Sequence, residues 1–359
     1  MHVAITDFTS YKASVSARYL KKHYPNIQIT SIDCRNYSRF LRSKYSDNHV
    51  VLDAKNVADP AYADLLAKLV KTQNIDYLIP VNSQELGPLL VQRENFGNSL
   101  SYWGAFGDYQ NLHDKAIFQK IVQQSGLSIP KDYSNLETAK LPFVYKPTTS
   151  SSSKGVIYVR DEEQRKDMMR LEQASLDAHV IQQYIKGEGV GFSGFFQNGK
   201  IVVGYAHKRL AEYPVSGGSS VYRGALQNDK QELIRSSVEK LLKTVPWSGF
   251  AMFEFKLTPE GELFFIECNP RIWGSIHQGL INGANYFSPL LGEEISPQEI
   301  NKSFNTYLSP LLWVSLLSYA MKGKFSPAGL FLKNWRSNKS DSGLFRDPLG
   351  WLALVMRSF

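Results

Sequence analysis

The run FAMFEFKLTPEGELFFIECNPRIWGS, residues 250–275, sets two carboxylates, an amide and a guanidinium at spacings that suit metal-assisted chemistry. Its flanks are strand-like: Phe250, Met252, Phe253 and Phe255 come first, Leu263 to Ile266 second, and Thr258-Pro259-Glu260-Gly261 supplies a hairpin turn between them. Side chains alternate faces along a strand, so Glu267, Asn269 and Arg271 share one face and Cys268 points to the other. Antiparallel pairing across the turn lets Glu254 join them. Two carboxylates and an amide oxygen form a hard-oxygen set of the kind Mg2+ takes when phosphates complete its shell. An arginine two residues on can reach an oxyanion beside the metal. The plain alternative is an edge hairpin with a solvated polar face. Four convergent polar groups in an otherwise apolar segment are costly to bury without a metal or partner, which favours the site.

The elements that must position this hairpin read as follows. Residues 1–110 alternate strand and helix: Val3–Thr6, a helix from about Ala13 to Lys22, Ile27–Ile32, an amphipathic helix over Ala61–Lys71 and a strand Tyr77–Pro80 that turns at 81–85 into a helix. That order implies a small parallel α/β layer. Its first turn, Phe8-Thr9-Ser10-Tyr11, has no glycine, so the phosphate cradle of a dinucleotide fold is missing and NAD is not expected. His113-Asp114-Lys115 opens a helix through Gln123, with Asp114 as its N-cap. A strand Phe143–Pro147, a serine-rich loop and a strand Val156–Val159 then read as a hairpin lid. Next come a strand His179–Ile185, an antiparallel pair Gly191–Phe196 and Ile201–His207, a basic run ending in a glycine-containing loop 217–220, and a helix Asp229–Lys243. The tail, 300–359, holds two apolar helices with basic residues between them. These can pack on the parent domain or a second subunit, or rest on a membrane surface.

The chain has 359 residues, 43% hydrophobic and 21% charged, an ordinary globular composition long enough for two or three cores. No apolar run is long enough to span a bilayer. The start, MHVAITDF, reads as a first strand and not as a secretory signal. With only Cys34 and Cys268 there is no disulfide framework, and a cytoplasmic protein is expected. Cys268, turned away from the polar face, reads as a packed core residue. The net charge of +8 is spread along the chain without a Lys/Arg stripe, so no nucleic-acid partner is expected.

The hairpin residues, taken with the elements before them, resemble the ATP-grasp superfamily. The run Pro270-Arg271-Ile272-Trp273-Gly274-Ser275 is similar to a branch of carboxylate–amine ligases related to carbamoyl-phosphate synthase. The resemblance covers about residues 110–290. It implies an α/β and α+β chain: a Rossmann-like pre-ATP-grasp domain over 1–110, a small subdomain with a phosphate flap over 111–185, a C-terminal subdomain with the metal site over 186–295, and a helical extension over 296–359. It implies ATP with one or two Mg2+ ions, or Mn2+, on Glu254, Glu267 and Asn269. Lys115 and Lys146 would then meet the phosphates, with Ser151, Ser152, Ser153, Lys154 and Gly155 as the flap. This chain has serine there where related families often use glycine. Gln182, Gln183, Tyr184 and Ile185 would form the adenine hinge, where many members carry Glu, and Glu188 would accept from the ribose. Arg271, with Lys208, Arg209 or Arg223, would serve as the catalytic cations beside the transferring phosphoryl group. The implied reaction joins a small-molecule carboxylate to an amine through an acylphosphate, releasing ADP and phosphate. Rival readings are a kinase-like phosphotransferase and a non-catalytic nucleotide-binding protein on a membrane surface or nucleic acid. A homodimer and peripheral membrane contact through the tail stay open.

Overall fold

The computed structural model describes residues 1–149, 155–172, 179–215, 217–293, 303–344 and 346–357. The N-terminal layer holds β1 (His2–Ile5), α1 (Tyr11–His23), β2 (Gln28–Asp33), β3 (Asn48–Val51), α2 (Tyr62–Thr72), β4 (Tyr77–Ile79) and α3 (Ser83–Val91). Its sheet is parallel, in the order β3-β2-β1-β4. The order reverses direction between β1 and β4, so their carboxyl ends open the crevice where such sheets bind ligands. Strand β3 is short and half-buried and lacks the apolar run that marks β1 in the sequence. Helix α3 begins inside the stretch expected to be a turn. There Asn82 caps the helix and Glu85 returns a bond to the cap, a reciprocal arrangement that starts the helix at Ser83.

Helices α4 (Phe106–His113) and α5 (Lys115–Gln124) lead to a small lobe of β5 (Asp132–Tyr133), β6 (Phe143–Pro147), β7 (Ile157–Val159), α6 (Glu162–Glu172) and β8 (His179–Gln183). Its antiparallel sheet runs β5-β8-β6-β7. One face, with Phe143, Tyr145, Val159 and Ile181, closes on Met168 of α6 as a separate core. The register puts Val144, Lys146, Val180 and Gln182 on the other face.

The main sheet collects β9 (Glu188–Gln197), β10 (Lys200–Tyr213), β11 (Ser219–Ala225), α7 (Asn228–Leu242) behind it, β12 (Gly249–Leu257) and β13 (Leu263–Asn269), followed by α8 (Ile276–Ile281). The tail adds β14 (Asn305–Tyr307), α9 (Leu311–Met321), α10 (Ser326–Lys333), β15 (Asn338–Ser340) and α11 (Pro348–Met356). The strand order is β13-β12-β9-β10-β11-β14-β15. Two expectations are corrected here. Ser219 and Ser220 belong to strand β11, not to a loop, and the tail is not purely helical but lengthens the sheet by two three-residue strands. One hydrophobic core runs through the N-terminal layer and the main sheet, with Trp103 against Trp247 and Phe250 at the join. No helix among the described residues is long and apolar enough to cross a membrane.

Candidate active site

The hairpin β12–β13 pairs antiparallel, with Glu254 opposite Glu267 and Met252 opposite Asn269. The sequence reading placed these groups together, but simple alternation would also have put Phe265 beside Glu267. A bulge at Ile266 prevents that: Phe255 pairs with Phe265, Glu254 with Glu267, and Ile266 is the extra residue. Phe265 therefore turns into the core against Phe118 and Phe255. The backbone freed at the bulge is met from outside the sheet. Phe265 N donates to Ser128 O (2.9 Å), and Gln119 Nε2 donates to the carbonyls of Phe265 and Ile266 (3.2 and 3.0 Å). Cys268 faces Phe253 on the core side, and burial pushes its thiol far up, so it packs and does not react.

Cations surround the two carboxylates. Arg209 on β10 reaches across β9 to pair with Glu254. Gly189 makes that crossing possible, since a Cβ there would stand 2.9 Å from Arg209 Cδ. Lys115, at the first position of α5, puts Nζ 3.5 Å from Glu267 Oε2. Asp114 caps that helix by accepting from the backbone of Ala116 and Ile117 (2.9 and 3.0 Å). From the small lobe, Lys146 Nζ donates to the bulge carbonyl of Ile266 (3.3 Å). Asn269 Nδ2 donates to Glu267 Oε1 (3.3 Å), and Arg271 donates to Asn269 Oδ1 (2.8 Å) and to Ile272 O (2.9 Å). Burial raises the Glu254 carboxyl despite Arg209. For Glu267 burial acts the same way, but Lys115, Lys146 and Asn269 outweigh it and the net direction is down. Burial lowers Lys146 to about 8, with Glu267 opposing.

The remaining candidates separate by position. Lys208 is corrected: it pairs with Val190, itself opposite Phe255, and so lies on the core side of the sheet, away from Glu254. Arg223 shares the face of Arg209 but is wholly buried and spent on Asp341 and on Ser220 O (2.6 Å). Gln182 stands on the cleft face of the small sheet, where its amide donates to Asp132 (2.7 Å). Gln183 lies on the opposite face, Tyr184 is exposed and Ile185 is buried. Glu188 is exposed, 3.7 Å from Lys230. Gly155 sits at φ +73° against Pro147. Ser151, Ser152, Ser153 and Lys154 lie outside the described residues.

Sequence reasoning missed the groups that face this hairpin from the N-terminal layer. Lys12 donates to Val81 O at the end of β4, and Tyr11 donates to Gly274 O just beyond β13. Burial, reinforced by Arg271, draws Lys12 down to about 7 against the pull of Asp7 and Glu85. Asp7, at φ +47°, is held by Arg35 (2.9 Å), Asn82 (3.2 Å) and both nitrogens of Arg357 (2.6 and 2.8 Å). His113 stacks on Tyr109, and burial beside Arg271 and Lys115 lowers it to about 4. His207 lies on the Glu254 face, both residues pairing with Gly191; burial takes it to about 3, and its Nδ1 has no partner among the described residues. The only advance signal for Lys12 was its place in a strand-to-helix turn of the parallel layer.

Two lobes closing on an oxygen-donor hairpin define the class. Residues 112–275 match the family model described as ATP-grasp domain. Among curated proteins the chain is 25% identical over 167 residues to the D-alanine–D-alanine ligase of Fusobacterium nucleatum, across 44% of this chain and 55% of that protein. Identity to the Aquifex aeolicus ligase is also 25%, over 57% of its length. The chain thus spans little more than half the length of these curated relatives. Among solved structures, N5-carboxyaminoimidazole synthetase from Staphylococcus aureus complexed with ADP superposes with a TM-score of 0.67 at 15% identity, covering 85% of this chain and 81% of that one. The biotin carboxylase domain dimer of Hydrogenobacter thermophilus 2-oxoglutarate carboxylase, in complex with MgADP and bicarbonate, gives 0.66 at 15% identity, covering 85% and 73%. At such identities the likeness is one of fold.

Proposed function

We propose that this chain is an ATP-dependent ligase that joins a small-molecule carboxylate to an amine through an acylphosphate. The observation that carries this reading is the convergence of Lys115, from α5, and Lys146, from the small sheet, on the Glu267 end of a hairpin that also presents Glu254 and Asn269. The names of the curated relatives, D-alanine–D-alanine ligases, and the ADP and MgADP in the structural neighbours support it.

The donor set fits Mg2+. Glu254, Glu267 and Asn269 offer hard oxygens on one face, and each is now satisfied by a cation or amide that a metal could replace. When bound there, the metal would offset charge on the ATP phosphates. Lys115 and Lys146 would hold the phosphates in position, and the small lobe would cover the nucleotide and exclude water. Gln182 on the cleft face and the segment 184–188 would border the adenosine. Arg271, with N–H donors left over after Asn269 and Ile272, would pair with the substrate carboxylate, and Lys12 would share that task from the N-terminal crevice.

A carboxylate oxygen attacks the γ-phosphorus, the bond to the bridging oxygen breaks and ADP leaves. The amine then attacks the acyl carbon, phosphate departs with the former carboxylate oxygen, and the amine proton passes to solvent. Arg209 and Arg271 would stabilise the negative charge that develops at each stage. The reaction needs no protein nucleophile, which agrees with the packed role of Cys268. Two free cysteines and the use of ATP favour a cytoplasmic setting.

The test is a screen of paired acids and amines for ADP release, then turnover of an 18O-carboxylate substrate. Label in free inorganic phosphate is expected, and Glu267→Gln should slow ADP formation at least about a hundredfold, roughly 3 kcal/mol. Release of AMP and pyrophosphate would refute the acylphosphate route.

A further inference from the structure

Helix α9 presents two unlike faces. Leu312 and Ser315 are buried against the main sheet, while Trp313, Val314, Leu317 and Met321 lie within one arc on the opposite side and are exposed, Met321 at 81%. The exposed apolar surface continues onto α10. Trp313 packs edge-on against Phe331 (ring centroids 5.4 Å apart), and beyond it Phe325, Leu332 (70% exposed) and Trp335 (66%) face outward. Its rim is of one sign. Lys322, Lys324, Lys333 and Arg336 flank or end α9 and α10, and residues 303–340 contain no Asp or Glu. Arg336 lies over the ring of Trp335 at 5.4 Å. Behind the patch, the carboxylate of Glu212 is engaged by Arg209 (3.9 Å).

We propose that the α9–α10 face docks on an anionic lipid bilayer, with Trp313, Leu317, Met321, Phe325 and Leu332 entering the headgroup–acyl boundary and the four basic side chains meeting lipid phosphates. A contiguous apolar patch of this kind needs a cover, and the charge pattern chooses which one. A second copy brought up by a twofold axis would set the same basic rim against itself, and lysine is depleted at the centre of protein interfaces. An anionic bilayer instead offers apolar depth and negative charge together, and tryptophans beside basic residues suit its interface. The face is built from two adjoining helices and needs no spanning segment. The inference does not rest on the ligase reading.

The full-length protein should co-sediment with vesicles of phosphatidylcholine and phosphatidylglycerol in equal parts, and not with phosphatidylcholine alone. Its tryptophan emission should shift to the blue on binding, and added salt should weaken the association. Leu317→Glu with Met321→Glu should lower the bound fraction at least about tenfold while the melting temperature is kept, since both side chains point to solvent. No binding by the wild type, equal binding to both vesicle types, or unchanged binding by the double variant would overturn the proposal. So would a wild-type dimer that the double substitution splits without either form binding lipid.

Discussion

Arg223 carries a full charge into the interior of the main sheet, and Asp341, from the far end of the chain, meets it there together with His277 (2.8 Å). Burial alone would raise the Asp341 carboxyl, but Arg223 and His277 outweigh it and hold it low. Removing one partner of a buried pair leaves the other uncompensated. Asp341→Asn should therefore cost about 3–5 kcal/mol, while Arg223→Met combined with Asp341→Leu should cost less. Urea unfolding of the three proteins measures this, and an Asp341→Asn midpoint equal to wild type would remove Arg223 from the structural framework. Three basic residues stood as equal candidates in the sequence. Only the pleat and the partners separate them: Lys208 faces the core, Arg223 is spent on Asp341, and Arg209 reaches Glu254. That Glu254, Glu267 and Asn269 share one face was legible because they sit on one hairpin where alternation is local. The partner of Arg223 lies 118 residues away and left no trace in the pattern.

At the scale of elements, Glu85 couples a helix start to the core. Its carboxylate takes bonds from Thr6 Oγ1, Tyr62 Oη and the backbone of Val81 and Asn82, yet it is fully enclosed, and burial raises it from 4.5 to about 7. The folded chain therefore holds this proton more tightly than the unfolded chain does. Its contribution to stability is complete below about pH 4.5, falls as pH rises towards 7 and is flat above that, a change of about 3 kcal/mol. Glu85→Gln can keep the three bonds to one oxygen and pair its amide with Tyr62. Melting temperatures of the variant should lose this part of the pH dependence, and parallel curves for both proteins would show that Glu85 is not its source. Long periodic elements such as α1, α2 and α7 were readable from the sequence. Strand β3 is too short and half-buried to show a pattern, and the bulge at Ile266 is set by Gln119 and Lys146, which come from other elements.

For the whole molecule, the tail is part of the framework. Besides β14 and β15, it supplies Asp341, whose carbonyl accepts from Arg18 (3.1 Å), Asp347, which accepts from Ser43, and Arg357, which grips Asp7 across 350 positions of sequence. A chain stopped at residue 302 would expose the edge of β11 and leave Arg223 buried without a counter-charge. It should lose cooperative thermal unfolding and precipitate on expression, whereas a soluble truncation with a sharp melt would show the tail to be accessory. The order of the small lobe and the strands β9 to β13 was legible along the chain, but two three-residue strands were too brief to reveal that the tail completes the sheet. The small lobe joins the body through residues 125–131 and 184–187, and both segments are fastened to the same hairpin. Ser128 accepts from Phe265, and Gly187 lies so close to Leu257 that a Cβ would stand 2.4 Å from its carbonyl oxygen. In mechanical terms the hairpin is an anchor shared by both connections: these two ties, and Lys146 on the bulge carbonyl of Ile266, all bear on it, so a load on the lobe is passed to the strands that carry Glu254 and Glu267.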